Sequence, residues 1–221
     1  MEMENMALNI KIIPVTPYEQ NCTLLWDDET NEAVLTDLGG NAAEIWHIIQ
    51  KKHLNLKEIW LTHGHLDHVG GVVAMRELTD TPVIGPHCDD LFLLEDLSNK
   101  TREYAKYGFE FSTNFLPTRW LNEGEVLSVG QYEFSVLHIP GHTPGHVVFY
   151  CEREKLLIAG DVLFKESIGR TDFPRGNTQD LHHGIRTKLY RLPENVVVIP
   201  GHRETTTIGH EKIYNPYVRA E

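Results

Sequence analysis

The segment LTHGHLDHVGG (residues 61–71) places three imidazoles and one carboxylate within six residues, at His63, His65, Asp67 and His68. These are borderline nitrogen and hard oxygen donors, the mix that suits zinc, iron or manganese. The apolar run Ile59–Leu61 precedes them, so the donors follow the end of a predicted strand. One histidine alone would be an ordinary core or surface residue, but four donors at this spacing predict a metal site.

Three more apolar strands end in a donor, at His142, Asp161 and His202. A glycine precedes each of these donors and lets the backbone turn sharply there. Side chains at the ends of neighbouring strands can converge on one point at the edge of a sheet. The sequence therefore predicts that these three donors join the first four.

Seven donors exceed the three or four ligands that one catalytic metal takes from protein, which predicts two metals. The allocation that we infer puts one metal on His63, His65 and His142. The other metal takes Asp67, His68 and His202, and Asp161 lies between the two. Zinc is the expected ion, with iron or manganese as alternatives. Asp67 has a second predicted role, orienting the attacking water.

The elements that must position these donors alternate short strands with few helices. Three strands (11–15, 22–26 and 33–37) precede a helix that carries Ile45, Ile48 and Ile49 on one face. Later segments predict a helix over 70–78, a helix from Thr178 to about Arg191, and strands that include 82–85, 126–129, 132–137, 147–150, 155–159 and 196–199. Residues 86–118 break this rhythm, and two interpretations stay open: a surface helix and loop that carry core aromatics, which is favoured, or a lid over the metal site. The whole chain, 1–221, is predicted to be a single domain.

Composition restricts the partners and the compartment. The formal net charge of −12 argues against a nucleic-acid partner, because neutralising phosphates needs a basic surface. The sequence has no long apolar run that predicts a membrane span, and its acidic start, Met1–Met6, does not resemble a secretion signal. Three widely spaced cysteines fit a reducing cytoplasm rather than a disulfide framework. The basic residues Lys165, Arg170 and Arg175 are compatible with a small anionic substrate. The oligomeric state is left open.

The motifs THGHLDHVGG, PGHTPGH, GD and PGH, in this order and at these separations, resemble those of the metallo-β-lactamase superfamily. The resemblance covers the chain from the first predicted strand to about His210. It implies an α/β fold, the αββα sandwich, in which two mixed sheets have helices on their outer faces and the metals lie at the sheet edges.

Within that superfamily, Asp161 resembles the bridging aspartate of glyoxalase II enzymes and lactonases. Class B β-lactamases usually carry Cys or Ser there, so antibiotic hydrolysis is disfavoured. Residues 164–176 and 206–211 are similar to small bacterial glyoxalase-II-like hydrolases. The resemblance implies that a hydroxide bridging two metals cleaves S-D-lactoylglutathione or a similar anionic acyl thioester. Full-length glyoxalase II has an added helical domain that helps to hold glutathione, whereas only residues 203–221 follow His202 here.

Three other functions stay open on the sequence alone. The persulfide dioxygenases, the leading alternative, also resemble this chain in the cluster from His63 to His68 and in residues 169–173. That resemblance implies that His63, His142 and Asp161 would hold one Fe(II). A lactonase and a non-catalytic metal-binding domain are less favoured, the latter because a structural site needs only four ligands.

The remaining predictions concern residues around the metals. His146 is predicted to support the ligands without binding metal, as a neighbouring histidine often does. Arg170 and Asp172 are expected to form a buried ion pair that braces the loop after Asp161. Lys165 and Arg175 are the candidate contacts for a substrate carboxylate.

Overall fold

Residues 8–220, which the computed structural model describes, build one sheet from each half of the chain. The start of the chain, on which the argument about a secretion signal rests, lies outside these residues. The first sheet has the order β1-β2-β3-β4-β5, antiparallel from β1 to β3 and parallel from β3 to β5. Its strands are β1 (Asn9–Val15), β2 (Gln20–Trp26), β3 (Glu32–Thr36), β4 (Asn55–Trp60) and β5 (Val83–Ile84).

The second sheet has six strands in the order β13-β12-β9-β8-β7-β6, and only β12 and β9 pair in parallel. A separate two-stranded hairpin, β10–β11, follows β9. The strands are β6 (Val126–Val129), β7 (Tyr132–His138), β8 (Val147–Cys151), β9 (Leu156–Gly160), β10 (Leu163–Phe164), β11 (Ser167–Ile168), β12 (Val197–Pro200) and β13 (Thr206–Thr207).

The alternation of side chains along each strand explains why the sheets are covered on both faces. In β2, Leu24 belongs to the core under the first set of helices, whereas Leu25 belongs to the core between the sheets. The middle core includes Trp60, whose ring lies 5.3 Å from that of Phe134 and 5.4 Å from that of Phe149 across the interface. Both faces of the central strands are therefore apolar, and each sheet needs helices outside it.

Helices complete four layers, which confirms the predicted αββα sandwich. On the first sheet lie α1 (Ala42–Lys51), α2 (Leu66–Val69), α3 (Val72–Leu78), α4 (Leu91–Glu95) and α5 (Leu97–Tyr104). On the second sheet, the core contains residues of α6 (Thr178–Thr187) and α7 (Ile208–Tyr214). Among the described residues 8–220, no helix has both the length and the apolar character needed to cross a bilayer.

Two helix predictions were wrong at their ends. The helix predicted over 70–78 is α3, which begins two residues later, at Val72, and the separate short helix α2 precedes it. Gly71, just before α3, packs against the loop after β3, where a Cβ would lie 2.9 Å from the nitrogen of Gly40. The helix predicted from Thr178 to Arg191 ends at Thr187 and is followed by a short 3₁₀ turn. Its cap is Asn177, whose side chain accepts hydrogen bonds from the next helix nitrogens.

Candidate metal centre

Three strand ends and the turn between two further strands bring the seven predicted donors together at one edge of the sandwich. The first cluster follows β4, Asp161 follows β9, and His202 follows β12. His142 lies in the turn between β7 and β8. The parallel pairs β3–β4 and β9–β12 explain the convergence, since parallel strands carry their carboxyl ends to the same edge.

Three imidazoles form the first group, His63, His65 and His142. The Nδ1 atom of His65 lies 3.1 Å from Nε2 of His63 and 3.0 Å from Nε2 of His142. These spacings are close to those between ligands that share one tetrahedral ion with bonds of about 2.0–2.1 Å. Burial, with the neighbouring imidazoles, lowers the pKa of each ring, that of His65 to about 3. All three rings are therefore neutral at pH 7, the state in which imidazole binds a metal.

Asp67, His68 and His202 form the second group. Nε2 of His202 lies 3.1 Å from Oδ2 of Asp67, and Nε2 of His68 lies 3.8 Å from the same oxygen. Burial favours the neutral form of His68, but the charges of Asp161, Asp67 and Asp37 outweigh it and raise its pKa well above the usual value. The pKa of His202 is also raised, because its hydrogen bond to Asp67 and the charge of Asp161 outweigh its burial.

Asp161 lies between the two groups. Its Oδ2 atom is 3.5 Å from Nε2 of His142 in the first group and 3.8 Å from Nε2 of His202 in the second. Its Oδ1 atom is 3.4 Å from Nε2 of His68. Burial alone would raise the pKa of Asp161, but the nearby imidazoles, His68 above all, lower it far below the usual value. The carboxylate is therefore ionised and within reach of both groups.

In three of the imidazoles a hydrogen bond holds Nδ1 and directs Nε2 toward the centre. Nδ1 of His142 donates to the carbonyl oxygen of Arg170 at 2.7 Å, and Nδ1 of His202 donates to that of Tyr18 at 3.0 Å. Nδ1 of His68 lies 2.9 Å from a carboxylate oxygen of Asp37. Anchoring one ring nitrogen to an oxygen leaves the other nitrogen to bind metal, the usual arrangement at metal sites.

The donor set fits a pair of metal ions. Buried polar atoms are normally hydrogen-bonded, yet Nε2 of His68 and Oδ1 of Asp161 form no hydrogen bond. Both atoms face the space between the two groups. Cations placed there would satisfy these atoms and balance the charges of Asp67 and Asp161.

A cavity of about 890 Å³ opens over the centre and is lined mainly by apolar side chains. Five of the seven donors line it, namely His65, Asp67, His142, Asp161 and His202. Part of its wall comes from 86–118, the segment predicted to be a lid, and part from the loop after Asp161. Phe173 in that loop packs its ring 4.8 Å from that of His65. The apolar wall residues are Phe92, Leu93, Leu97, Tyr104, Phe109, Phe164, Ile168, Phe173 and Pro174. Such a cavity, with a few polar groups at its base, is the usual form of a small-molecule site.

The residues predicted to support the ligands lie beside the centre. His146 is buried beside the first group, and its Nε2 atom accepts the backbone N–H of Asp161 at 3.0 Å. Arg170 and Asp172 do pair, at 2.7 and 2.9 Å, but the pair is exposed, with 68% and 67% of the side chains accessible. The prediction that this pair is buried was wrong, because the loop turns both side chains outward. Arg170 supports His142 through its backbone carbonyl instead.

The two residues predicted to contact a substrate carboxylate lie outside the cavity lining. Lys165 forms an exposed ion pair with Glu204 at 2.7 Å. The guanidinium of Arg175 lies 4.4 Å from the ring of Phe92, outside the cavity wall. The cations that do line the cavity are Lys100, Arg170 and Arg203.

Sequence reasoning missed two buried aspartates that hold the ligand loops. Asp37, at the end of β3, accepts hydrogen bonds from the backbone and the hydroxyl of Thr62, both at 2.7 Å, as well as from His68. Asp90 accepts one from Gly64 at 2.9 Å and one from Gly145 at 2.6 Å. Asp37 could have been found from the sequence, since like the other donors it directly follows an apolar strand. No sequence pattern marks Asp90, because its hydrogen bonds join loops that are far apart in the chain.

Comparison with known proteins agrees with this architecture. A family model described as the metallo-beta-lactamase superfamily matches residues 15–202. The chain belongs to this superfamily. Hydroxyacylglutathione hydrolase GloC of Haemophilus influenzae is 45% identical to it over 215 residues, which are 97% of this chain and 100% of GloC. The chain is accordingly an enzyme of the metallo-hydrolase class.

Two solved structures of the superfamily are similar over nearly the whole chain. The B3 metallo-beta-lactamase BLEG-1 has a TM-score of 0.85 and 37% identity, with 95% of this chain and 99% of BLEG-1 covered. TTHA1623, solved in a di-iron-bound form, has a TM-score of 0.84 and 36% identity, with 94% of this chain and 100% of TTHA1623 covered. The fold and the family predicted from the sequence are thus confirmed.

Substituting Gly201 by alanine tests how closely the second group is packed in this superfamily member. A Cβ at Gly201 would lie 2.1 Å from Oδ1 of Asp161 and 2.6 Å from Cε1 of His68. We expect Gly201→Ala to lower kcat/KM about a hundredfold, because small displacements of reacting groups are costly. Gly40→Ala, whose Cβ would meet its nearest neighbour at 3.6 Å, is the matched control. Wild-type metal content and turnover in Gly201→Ala would contradict the packing described here.

The two groups should differ in how their metal binding depends on pH. The first group has neutral rings with lowered pKa values, so acid competes there only at low pH. In the second group, a metal must displace protons from His68 and His202, whose pKa values are raised. As the pH falls from 8 to 5, we expect the second group to release its metal first. Metal content measured at buffered free zinc should fall in two steps, whereas a single step for both ions would contradict the assignment.

Proposed function

We propose that the chain is a thioesterase that uses two divalent cations to hydrolyse S-D-lactoylglutathione or a similar acyl thioester. The observation that carries this proposal is the convergence of seven donors at the base of an apolar cavity, with Asp161 between the two groups that the other six form. The similarity to hydroxyacylglutathione hydrolase GloC along nearly the whole chain supports the thioester class. Because that similarity covers 97% of this chain and 100% of GloC, we also keep the single-domain prediction.

The residues that would hold the cations are His63, His65 and His142 for one, Asp67, His68 and His202 for the other, with Asp161 shared. The grouping rests on the short distances within each set. Zinc is the ion that we propose, and iron or manganese is the alternative, since TTHA1623 is known in a di-iron form. Cations bound at such a site lower the pKa of water to about 7 and polarise a carbonyl group.

The side chains of the protein supply position and charge for this chemistry. Asp67 lines the cavity and is ionised at neutral pH, because His68 and His202 outweigh its burial and lower its pKa. Its carboxylate can accept a hydrogen bond from the attacking water and so orient it. The apolar wall excludes bulk water from the thioester, which strengthens charge interactions inside the cavity. A thiolate leaves readily, so no strong general acid is required.

We further propose that the enzyme works in the cytoplasm on a small-molecule substrate, with no nucleic-acid partner. Cys22, Cys88 and Cys151 are all free thiols, which fits a reducing compartment. The net charge of −12 opposes binding to nucleic acid. The lid role of 86–118 stays a prediction, supported by its share of the cavity wall.

One observation favours a second candidate function. BLEG-1, named as a B3 metallo-beta-lactamase, is 37% identical to this chain, so hydrolysis of a β-lactam amide belongs in the test. A persulfide dioxygenase with one Fe(II) on His63, His142 and Asp161 is the alternative that the sequence leaves open. It would leave Asp67, His68 and His202 without a metal.

The experiment that tests the proposal is hydrolysis of S-D-lactoylglutathione and of a chromogenic cephalosporin by protein of known metal content. We expect metal-dependent thioester cleavage that greatly exceeds β-lactam cleavage. β-Lactam cleavage alone would replace the proposed function with the second candidate. Oxygen uptake with a persulfide by protein that holds a single iron would replace it with the dioxygenase.

A further inference from the structure

Three cations line the cavity, and two of them are already paired. Nζ of Lys100 lies 2.8 Å from a carboxylate oxygen of Glu103, one turn further along α5. Arg170 forms a two-pronged contact with Asp172. Each of these cations has its charge balanced by a neighbour on the same segment, so a substrate would have to compete with that neighbour.

Arg203 is the exception. Among residues 8–220 its guanidinium forms no ion pair and no hydrogen bond, although it lines the cavity. The carboxylate next to it in sequence, that of Glu204, is held by Lys165 at 2.7 Å. This ion pair keeps Glu204 occupied and leaves Arg203 as an unpaired cation beside the metal centre.

The backbone holds Arg203 in an uncommon conformation at this place. Its φ is 68°, in the left-handed region that favours glycine, so a long side chain here is strained. The buried side chain of Asn21 fixes the turn by donating to the carbonyl oxygens of Pro200 at 3.0 Å and Arg203 at 2.8 Å. Strain of this kind, next to the candidate ligand His202, points to a functional role.

We infer that Arg203 binds a carboxylate of the substrate that does not itself react, and so selects anionic thioesters. The inference rests on the proposed function. A guanidinium presents two parallel N–H donors to a carboxylate, which gives orientation as well as attraction. Because Arg203 directly follows His202, a carboxylate held there places the rest of the substrate across the metal centre. Arg203 is therefore a binding residue that sets substrate preference.

The test compares Arg203→Gln with wild type on two thioesters, S-D-lactoylglutathione and the uncharged S-lactoyl-N-acetylcysteamine. We expect KM for the anionic substrate to rise about 10- to 100-fold, with kcat within about twofold. KM for the uncharged substrate should not change. Arg203→Lys should raise KM for the anionic substrate less than Arg203→Gln does, since lysine keeps the charge but cannot form the bidentate contact. Arg191→Gln, an exposed arginine outside the cavity lining, is the matched control.

Calorimetric binding of S-hexylglutathione, a thioether that cannot be hydrolysed, gives a readout apart from turnover. We expect Arg203→Gln to weaken it by the same factor as KM. An equal change for both thioesters, or no change for either, would overturn the role of Arg203 and leave the proposed function intact. Wild-type protein that cleaves neither thioester would overturn the proposed function and this inference with it.

Discussion

Asp161→Ala should abolish turnover and reduce the metal content from two ions to one or fewer per chain. Asp161 is the carboxylate with oxygens near nitrogens of both histidine-containing groups, at 3.4 to 3.8 Å. Without this shared carboxylate, the repulsion between the two cations is no longer offset. The second group also loses one of its two neighbouring carboxylates. We expect kcat/KM to fall about a thousandfold or more.

The fold should survive this substitution, because the structural hydrogen bond at Asp161 is made by its backbone N–H to His146. Circular dichroism and elemental analysis on the same preparation separate loss of metal from loss of structure. Asp80→Ala removes an exposed carboxylate and should leave both rate and metal content unchanged. Full metal occupancy with unchanged turnover in Asp161→Ala would show that Asp161 does not bridge the metals.

Asp67→Asn is expected to have the second largest effect, a fall in kcat of about 10²- to 10⁴-fold, the range for a proton-handling group. The substitution keeps the shape of the side chain and removes its charge. Asp67 is ionised in the folded protein because its pKa is lowered by His68 and His202, so wild-type activity should not titrate with this group near neutral pH. We expect KM to change little.

Metal content decides which role Asp67 has. Two ions bound with a low kcat would show that Asp67 orients the attacking water. Loss of one ion together with the low kcat would show that Asp67 acts mainly as a ligand. An unchanged kcat with two ions bound would contradict both roles.

Much of the centre could be predicted because its donors are marked locally. Each of the seven follows an apolar strand or lies in a turn beside one, and glycine precedes His142, Asp161 and His202. The layered fold is likewise encoded by buried strands that are apolar on both faces, as in β9. Each of these signals involves only a few neighbouring residues, so the amino-acid sequence alone is enough to recognise it.

The parts that could not be predicted depend on contacts between distant loops. Asp37 reaches Thr62 and His68 only because β3 and β4 pair in parallel, and Asp90 ties Gly64 to the turn that holds Gly145. The direction of exposed side chains is also invisible in the sequence. The loop after Asp161 turns Arg170 and Asp172 outward, so the expected ion pair forms at the surface and not in the interior.

The pairing of basic residues near the centre could not be predicted either. Lys165 and Arg203 are both basic residues close in sequence to candidate ligands. Glu204 pairs with Lys165, whereas Arg203 lines the cavity and forms no ion pair among residues 8–220. Neither the pairing nor the positive φ of Arg203 follows from composition or spacing.

The measurement that tests the central claim most directly is anomalous X-ray diffraction from crystals of the metal-loaded enzyme, recorded on either side of the metal absorption edge. Two peaks are predicted, one contacting His63, His65 and His142, the other contacting Asp67, His68 and His202. Both peaks should contact the carboxylate of Asp161. A single fully occupied peak on His63, His142 and Asp161, with the second group empty, would contradict the two-metal account.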